Sequence, residues 1–205
     1  MDWLKALSRK FVVAFIEKNR WQIYLKGLGI TMEVAFAAAI LGIIIGTLLA
    51  FMKLSVKKNG KPTLFSRVAN FYIDIIRGTP SVLQLLIMWF VVLKSCSNGI
   101  LVACLTFGMN SGAYVAEIVR AGILAVDKGQ TEAGRSLGLN QVQTMRYIVI
   151  PQAFKNVLPP LGNEFIMLIK ETAIVGYVAL TDLTRAANQI SAATYEAFTP
   201  LIGAA

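Results

Sequence analysis

From Val34 to Met52 the chain runs 19 residues without a charge. As an α-helix rising ~1.5 Å per residue, this run extends about 28 Å, enough to cover the hydrocarbon core of a bilayer. In lipid every backbone polar group needs an internal partner, so a single apolar run of this length reads as a spanning helix. Ala38, Gly42, Gly46 and Ala50 repeat every four residues on one face, which lets another helix approach closely. Composition agrees: 56% of the 205 residues are hydrophobic and only 15% are charged, against about a quarter in soluble domains. The expected class is an all-α integral membrane protein, a polytopic helical bundle.

The residue types that are missing narrow the chemistry. With no His there is no His-centred general base, no Ser-His-Asp triad and no His-ligated metal. Cys96 and Cys104 lack CxxC spacing and read as small apolar side chains. No G-x-x-x-x-G-K-[ST] occurs, so no phosphate-cradling loop is expected, and the chain is not expected to be an enzyme. No cofactor and no metal are expected. The net charge of +9 sits beside the apolar spans, which suits lipid and cytoplasmic flanks better than nucleic acid. The short apolar stretch Phe11 to Ile16, with no small-residue cleavage site after it, does not read as a cleavable signal.

Residues 1–26 mix Trp3, Leu4, Leu7, Phe11, Phe15 and Ile16 with Lys5, Arg9, Lys10, Lys18, Arg20 and Lys26. Apolar positions three and four apart predict an amphipathic N-terminal helix lying in the membrane interface. The transmembrane domain is expected over 27–205. Lys53, Lys57, Lys58 and Lys61, with Asn59-Gly60 and Pro62, make a basic turn-rich loop. A helix from about Phe65 should break at Arg77-Gly78-Thr79-Pro80 and resume over Ser81 to Leu93, because Pro80 lacks an N–H and disfavours helix at Thr79. After a turn at Lys94 to Asn98 comes a third span, the uncharged Gly99 to Ala116, and a fourth is expected over Leu161 to Thr181. Residues 182–198 are polar and helix-compatible. At Pro200-Leu201-Ile202 an apolar stretch opens, and a fifth span is expected to begin there without room to finish before Ala205.

Counting basic residues orients the chain. With the N-terminus outside, the inside loops hold 11 (Lys53, Lys57, Lys58, Lys61, Arg67, Arg77, Arg120, Lys128, Arg135, Arg146 and Lys155). The outside holds eight (Lys5, Arg9, Lys10, Lys18, Arg20, Lys26, Lys94 and Arg185), and Lys170 is embedded. The excess favours this orientation.

The stretch from Thr131 to Asn140 is the most informative. A short helix is expected to end at Gly138, where a left-handed cap needs no Cβ. Asn140 should cap a second helix, with Gln143 as its capping-box partner, and Pro151 should interrupt it after Ile148-Val149-Ile150. Two short helices at a fixed angle on a basic loop form an object suited to docking into a cleft on a cytoplasmic partner; by shape alone they are equally an ordinary helical hairpin.

Glu132-Ala133, then Gly138, nine residues, and Ile148-x-Ile150-Pro151 resemble the EAA loop of bacterial ABC-transporter permeases. Gly134 replaces the third small residue of that pattern and Ile150 replaces a Leu. Arg77-Gly78-Thr79-Pro80, Asn110-Ser111-Gly112-Ala113-Tyr114, Glu117-Ile118-Val119-Arg120, Pro159-Pro160-Leu161-Gly162-Asn163-Glu164-Phe165 and Asp182-Leu183-Thr184-Arg185-Ala186 resemble the branch that takes up polar amino acids. The resemblance covers about residues 20–200. It implies a helical bundle of the ABC importer permease type, usually of five core spans, with about four present here. It also implies a multi-pass protein of the bacterial plasma (inner) membrane that pairs with a second permease subunit, as a homo- or heterodimer. Two cytoplasmic ATPase subunits would bind the EAA loops (residues 127–151) and hydrolyse the ATP, and an extracytoplasmic binding protein would deliver amino acid. On that reading Glu132, Ala133, Gly134, Leu137, Gly138, Leu139, Ile148 and Pro151 carry the coupling.

The fourth span holds Asn163, Glu164, Lys170 and Glu171, and charges this deep should face protein or water. Glu164 and Glu171 are seven apart on one face; Asn163 and Lys170 share the adjacent one. Two readings stay open: a pathway apt for zwitterions, or a structural polar network that includes Glu117 and Arg120. Two other classes predict differently. A channel or secondary carrier would move substrate without an ATPase, and a membrane scaffold would show no substrate-dependent ATP turnover.

Overall fold

A computed structural model describes residues 2–55 and 61–205, with the side chains of Asp2, Leu4 and Ala6 left undescribed. The expected turn at Lys57, Lys58 and Asn59-Gly60 lies outside the described residues. Among the described residues the regular elements are all helices: α1 (Asp2–Phe11), α2 (Trp21–Leu54), α3 (Leu64–Gly78), α4 (Ser81–Ile87), α5 (Gly99–Leu124), α6 (Lys128–Ser136), α7 (Gln141–Thr144), α8 (Ile150–Glu171), α9 (Leu183–Thr194) and α10 (Phe198–Ile202). α2 and α5 are each long and apolar enough to cross a membrane, and Leu64–Gly78 with Ser81–Val92 qualifies as a bent pair. The chain divides into two compact units. One comprises Met1–Phe36, Val82–Cys104 and Ile169–Ala205; the other comprises Ala37–Ser81 and Leu105–Leu168.

In the second unit, α2 and α5 interdigitate through small residues. A Cβ added at Gly42 would lie 2.8 Å from Ser111 Oγ, and one at Gly46 would lie 2.5 Å from Val115 Cβ. In return, Gly108 and Gly112 receive Leu41 and Ile45. The stripe visible in the sequence is therefore a helix–helix contact, as expected where dispersion rather than water exclusion holds helices together. Leu49, Ala69, Ile73, Ala113 and Ala116 form the core beside it. Tyr72 keeps its hydroxyl satisfied by donating to Met109 O at 2.8 Å. α3 starts at Thr63, whose side chain accepts from Ser66 N–H, and stops where Thr79 is extended (φ −119°, ψ 144°) before Pro80, as the sequence predicts.

Two expectations need correction. Pro151 does not interrupt its helix: the backbone stays helical from Gln141 through Ile150 (φ −59°, ψ −45°) and on into α8. Pro151 offers no N–H to the Tyr147 carbonyl, and its ring crowds that carbonyl. A π-helical turn over Met145–Val149 takes up the misfit, with Ile150 N–H bonding Met145 O. The helix over the expected fourth span also has other bounds, and it is not among the helices long and apolar enough to cross a membrane. α8 begins at Ile150, runs through Pro159 and Pro160, and ends at Glu171 rather than Thr181. Proline costs a hydrogen bond but already holds the helical φ. Beyond Glu171 the chain tightens into a 3-10 stretch, Thr172–Val178, where Thr172 Oγ1 donates to Ile169 O at 2.7 Å.

In the first unit, α1 is followed by a π-helical turn (Val12–Ile16) and a 3-10 turn (Glu17–Asn19), where left-handed Lys18 and Asn19 redirect the chain into α2. Buried Arg20 donates back to Val13 O. Phe15 stacks on Tyr24 at 5.0 Å, and the Tyr24 hydroxyl donates to Pro200 O at 3.0 Å. Lys10 pairs with Glu196 at 2.9 Å. α2 and the start of α9 approach backbone to backbone: a Cβ at Gly27 would lie 2.8 Å from the Asp182 carbonyl O and 3.0 Å from Ala186 Cβ. Within the polar segment 182–198, Leu183–Thr194 forms α9, capped by Asp182 and ended by left-handed Tyr195.

Candidate functional site

The segment 127–151 of the second unit is built by three local devices. Asp127 caps α6, its Oδ1 accepting from Gly129 N–H at 2.7 Å. At the other end, Gly138 N–H bonds Arg135 O and Leu139 N–H bonds Gly134 O, both at 3.1 Å. That is the Schellman pattern, and Gly138 takes the left-handed conformation it requires, φ +84°. Nothing lies within 4 Å of a Cβ placed at Gly138, so dihedral preference and not crowding selects glycine. Asn140 then opens α7 with the expected reciprocal box: Gln143 N–H donates to Asn140 Oδ1 and Asn140 N–H to Gln143 Oε1, both at 2.9 Å.

Gly134 closes the corner. It is buried, and an added Cβ would approach Ile148 Cδ1 to 2.7 Å and Thr144 Cγ2 to 3.0 Å. The glycine that departs from the family pattern thus seats α6 against α7 and the π-helical turn. Beneath it, Thr144 is buried and its hydroxyl finds no partner. The opposite surface is open: Glu132, Ala133 and Gly138 are exposed and Leu137 is 81% exposed. Leu139 and Ile148 are half-buried, and Pro151 is exposed. The segment is a rigid, double-capped corner that presents an apolar tip with a carboxylate one and a half turns before it.

Two polar clusters lie in the same unit. Glu164 on α8 is half-buried and accepts from Ser111 Oγ of α5 at 2.7 Å. Glu117 on α5 pairs with Lys53 of α2, and Arg120 reaches it through Nη2 at 2.9 Å and Nε at 3.0 Å. Glu164 and the Glu117–Arg120 pair, joined in the network reading of the sequence, thus make separate contacts. Lys53 is the member that sequence reasoning missed, because it lies 64 residues from Glu117 and only the α2–α5 packing unites them. Of the remaining candidates, Asn163 and Lys170 are exposed and Glu171 is half-buried.

The matches to known proteins follow these features. The family described as "Binding-protein-dependent transport system inner membrane component" matches residues 38–205. The arginine transport system permease protein ArtQ of Bacillus subtilis (strain 168) is 43% identical over 181 residues, 87% of this chain and 80% of that protein. The glutamine transport system permease protein GlnP of Escherichia coli (strain K12) is 34% identical over 180 residues, covering 85% and 80% of the two chains. A crystal structure of an amino acid ABC transporter with histidines is similar with a TM-score of 0.80 and 43% identity, covering 89% of this chain and 84% of that one. An inward-facing MetNI methionine ABC transporter shares the fold at 20% identity, with a TM-score of 0.78. This chain, an all-α membrane bundle, therefore belongs to the family of binding-protein-dependent transport-system inner-membrane components.

Proposed function

We propose that this chain is the permease subunit of an ATP-driven importer of polar amino acids, and that the corner at Glu132–Leu139 transmits closure of a cytoplasmic ATPase into the membrane. The exposed Leu137, held between a Schellman-capped helix and a boxed one, is the observation that carries this reading. Leu137 and Ala133 enter a groove on the ATPase, Glu132 pairs with one of its basic residues, and Gly134, Gly138, Leu139, Ile148 and Pro151 keep the corner's shape. Relatives named for arginine and glutamine transport support the substrate class. ATP hydrolysis belongs to the partner subunit, a second permease subunit completes the pathway, and an extracytoplasmic binding protein delivers the amino acid. The amphipathic segment 1–26 lies on membrane lipid, consistent with exposed Trp3, Leu7 and Phe11 alongside Lys5 and Arg9. Asn163, Glu164, Lys170 and Glu171 line the pathway, where both signs of charge suit a zwitterion. The structural alternative for Glu164 rests on its bond to Ser111.

Co-purification from native membranes tests the coupling site. Wild type should recover an ATPase subunit whose hydrolysis rises with loaded binding protein. Gly138→Val should insert normally yet lose the ATPase or its stimulation. Full stimulation in the variant would sink the assignment. A chain that recovers no ATPase and moves substrate alone would be a carrier. For the pathway, Glu171→Gln should change substrate preference with assembly intact; lost assembly would make the cluster structural.

A further inference from the structure

The first unit contains a cavity of about 380 Å³ lined by Ala173, Gly176, Tyr177, Thr184, Arg185 and Asn188. Its size falls in the range of ~300–1,000 Å³ usual for small-molecule sites. Among the described residues, Arg185 is the one charged side chain on its wall. That guanidinium is fastened through Nη1 to the Gly176 carbonyl and has no carboxylate within salt-bridge distance among the described residues. The acid next to it in sequence is already committed. Asp182 is 1% exposed, with Oδ2 accepting from Thr184 N–H at 2.9 Å and Oδ1 from Arg185 N–H at 3.2 Å. Holding α9's first turn therefore keeps this acid on backbone donors, and Arg185's Nε and Nη2 donors remain for something that enters the cavity.

We propose that this cavity is an entry subsite that receives the α-carboxylate of an amino acid on Arg185. Thr184 and Asn188 lie four residues apart on one face of α9, both exposed, and supply neutral oxygens for the α-ammonium. Among the described residues no acid lines the wall, so the site reads the shared zwitterionic end and leaves the side chain to other selectors. A planar guanidinium fork is the donor best matched to a carboxylate. The inference rests on the importer reading above. With the N-terminus outside, Arg185 falls on the extracytoplasmic side, where an arriving amino acid is first met. A concave pocket of this size favours a free amino acid over the acidic side chain of a docking protein.

The test uses the full permease–ATPase complex in nanodiscs without binding protein. Equilibrium binding of radiolabelled arginine and glutamine is measured, with agmatine and 4-aminobutanamide as competitors that lack the carboxylate. The wild type should bind, and the decarboxylated competitors should fail to displace. Arg185→Gln should weaken binding about tenfold or more, and Arg185→Lys should fall between. Asn188→Ala should weaken it by roughly threefold. Equal binding by wild type and Arg185→Gln, or agmatine competing as well as arginine, would overturn the proposal. So would a variant defective only in docking the binding protein, which would make the cavity a protein contact. If the wild type imports both amino acids but Arg185 proves indifferent, this subsite alone fails. If it neither binds nor imports either, the importer reading fails and the subsite with it.

Discussion

Ser111 donates a 2.7 Å hydrogen bond to Glu164, tying α5 to α8 at the place where Gly42 of α2 presses on the Ser111 hydroxyl. Ser111 is fully buried, and its neighbours Gly112 and Ala113 offer no polar atom beyond the backbone. Ser111→Ala leaves the carboxyl without this donor, so thermal melting of the purified protein should show a loss of about 1–3 kcal/mol. Glu164→Gln keeps an acceptor for the same hydroxyl and should melt close to wild type. A transport defect in Glu164→Gln with unchanged melting would assign the group to the pathway; unchanged transport would leave it a structural tie.

Gly138 and Gly134 are glycines for different reasons, and substitutions should separate them. At Gly138 the backbone is left-handed and space is open, so Gly138→Val costs about 1–3 kcal/mol in that geometry while Gly138→Asn costs less. Substrate-stimulated ATP hydrolysis should fall in the order Gly, Asn, Val.

At Gly134 the obstacles are the Ile148 Cδ1 methyl, the far end of a flexible side chain, and the buried Thr144 side chain, whose Cγ2 would lie 3.0 Å away. Gly134→Ala should therefore need both Ile148 to rotate and Thr144 to give by a few tenths of an ångström, whereas Gly134→Leu should pry α6 from the π-helical turn. Protease sensitivity around Lys128–Ser136 would report the difference. Equal protection in both variants would contradict the close-packing account.

Thr144 offers a gain. Its hydroxyl is buried without a partner, so Thr144→Val removes an unmet polar group while conserving shape. The variant should melt at or above the wild-type temperature, and a clear drop would mean that the hydroxyl is bonded in the assembled protein.

The Lys10–Glu196 pair carries a pH signature. The hydrogen bond from Lys10, above all, holds the Glu196 carboxyl below its usual range. A depressed folded-state value contributes stability above the unfolded value of about 4.3, and this is lost as pH falls through the lowered one. Acidification to below pH 4 should loosen α1 from the turn before α10, visible as faster hydrogen exchange in residues 2–16. Glu196→Gln should abolish that pH dependence.

Local chemistry was legible along the chain. Pro80 predicted the break after α3, Gly138 and the Asn140–Gln143 box predicted both edges of the corner at Glu132–Leu139, and the small-residue stripe predicted a close helix contact. The break and the caps are governed by dihedral limits and by bonds between residues at most five apart, which a sequence displays directly; the stripe's four-residue period displays the contact face but not its partner on α5. What only tertiary structure decided spans long separations or turns on competing local costs. Lys53 meets Glu117, and Ser111 meets Glu164, because glycines bring α2 and α5 close and α8 packs beside them. Pro151 stays helical because a π-helical turn relieves its clash, and α8 stops at Glu171 despite the apolar residues beyond it. Arg185 lines a cavity with no acid among its described lining residues, Asp182 being held on its own helix cap. Such outcomes depend on where distant helices come to rest, and no run of residues encodes that alone.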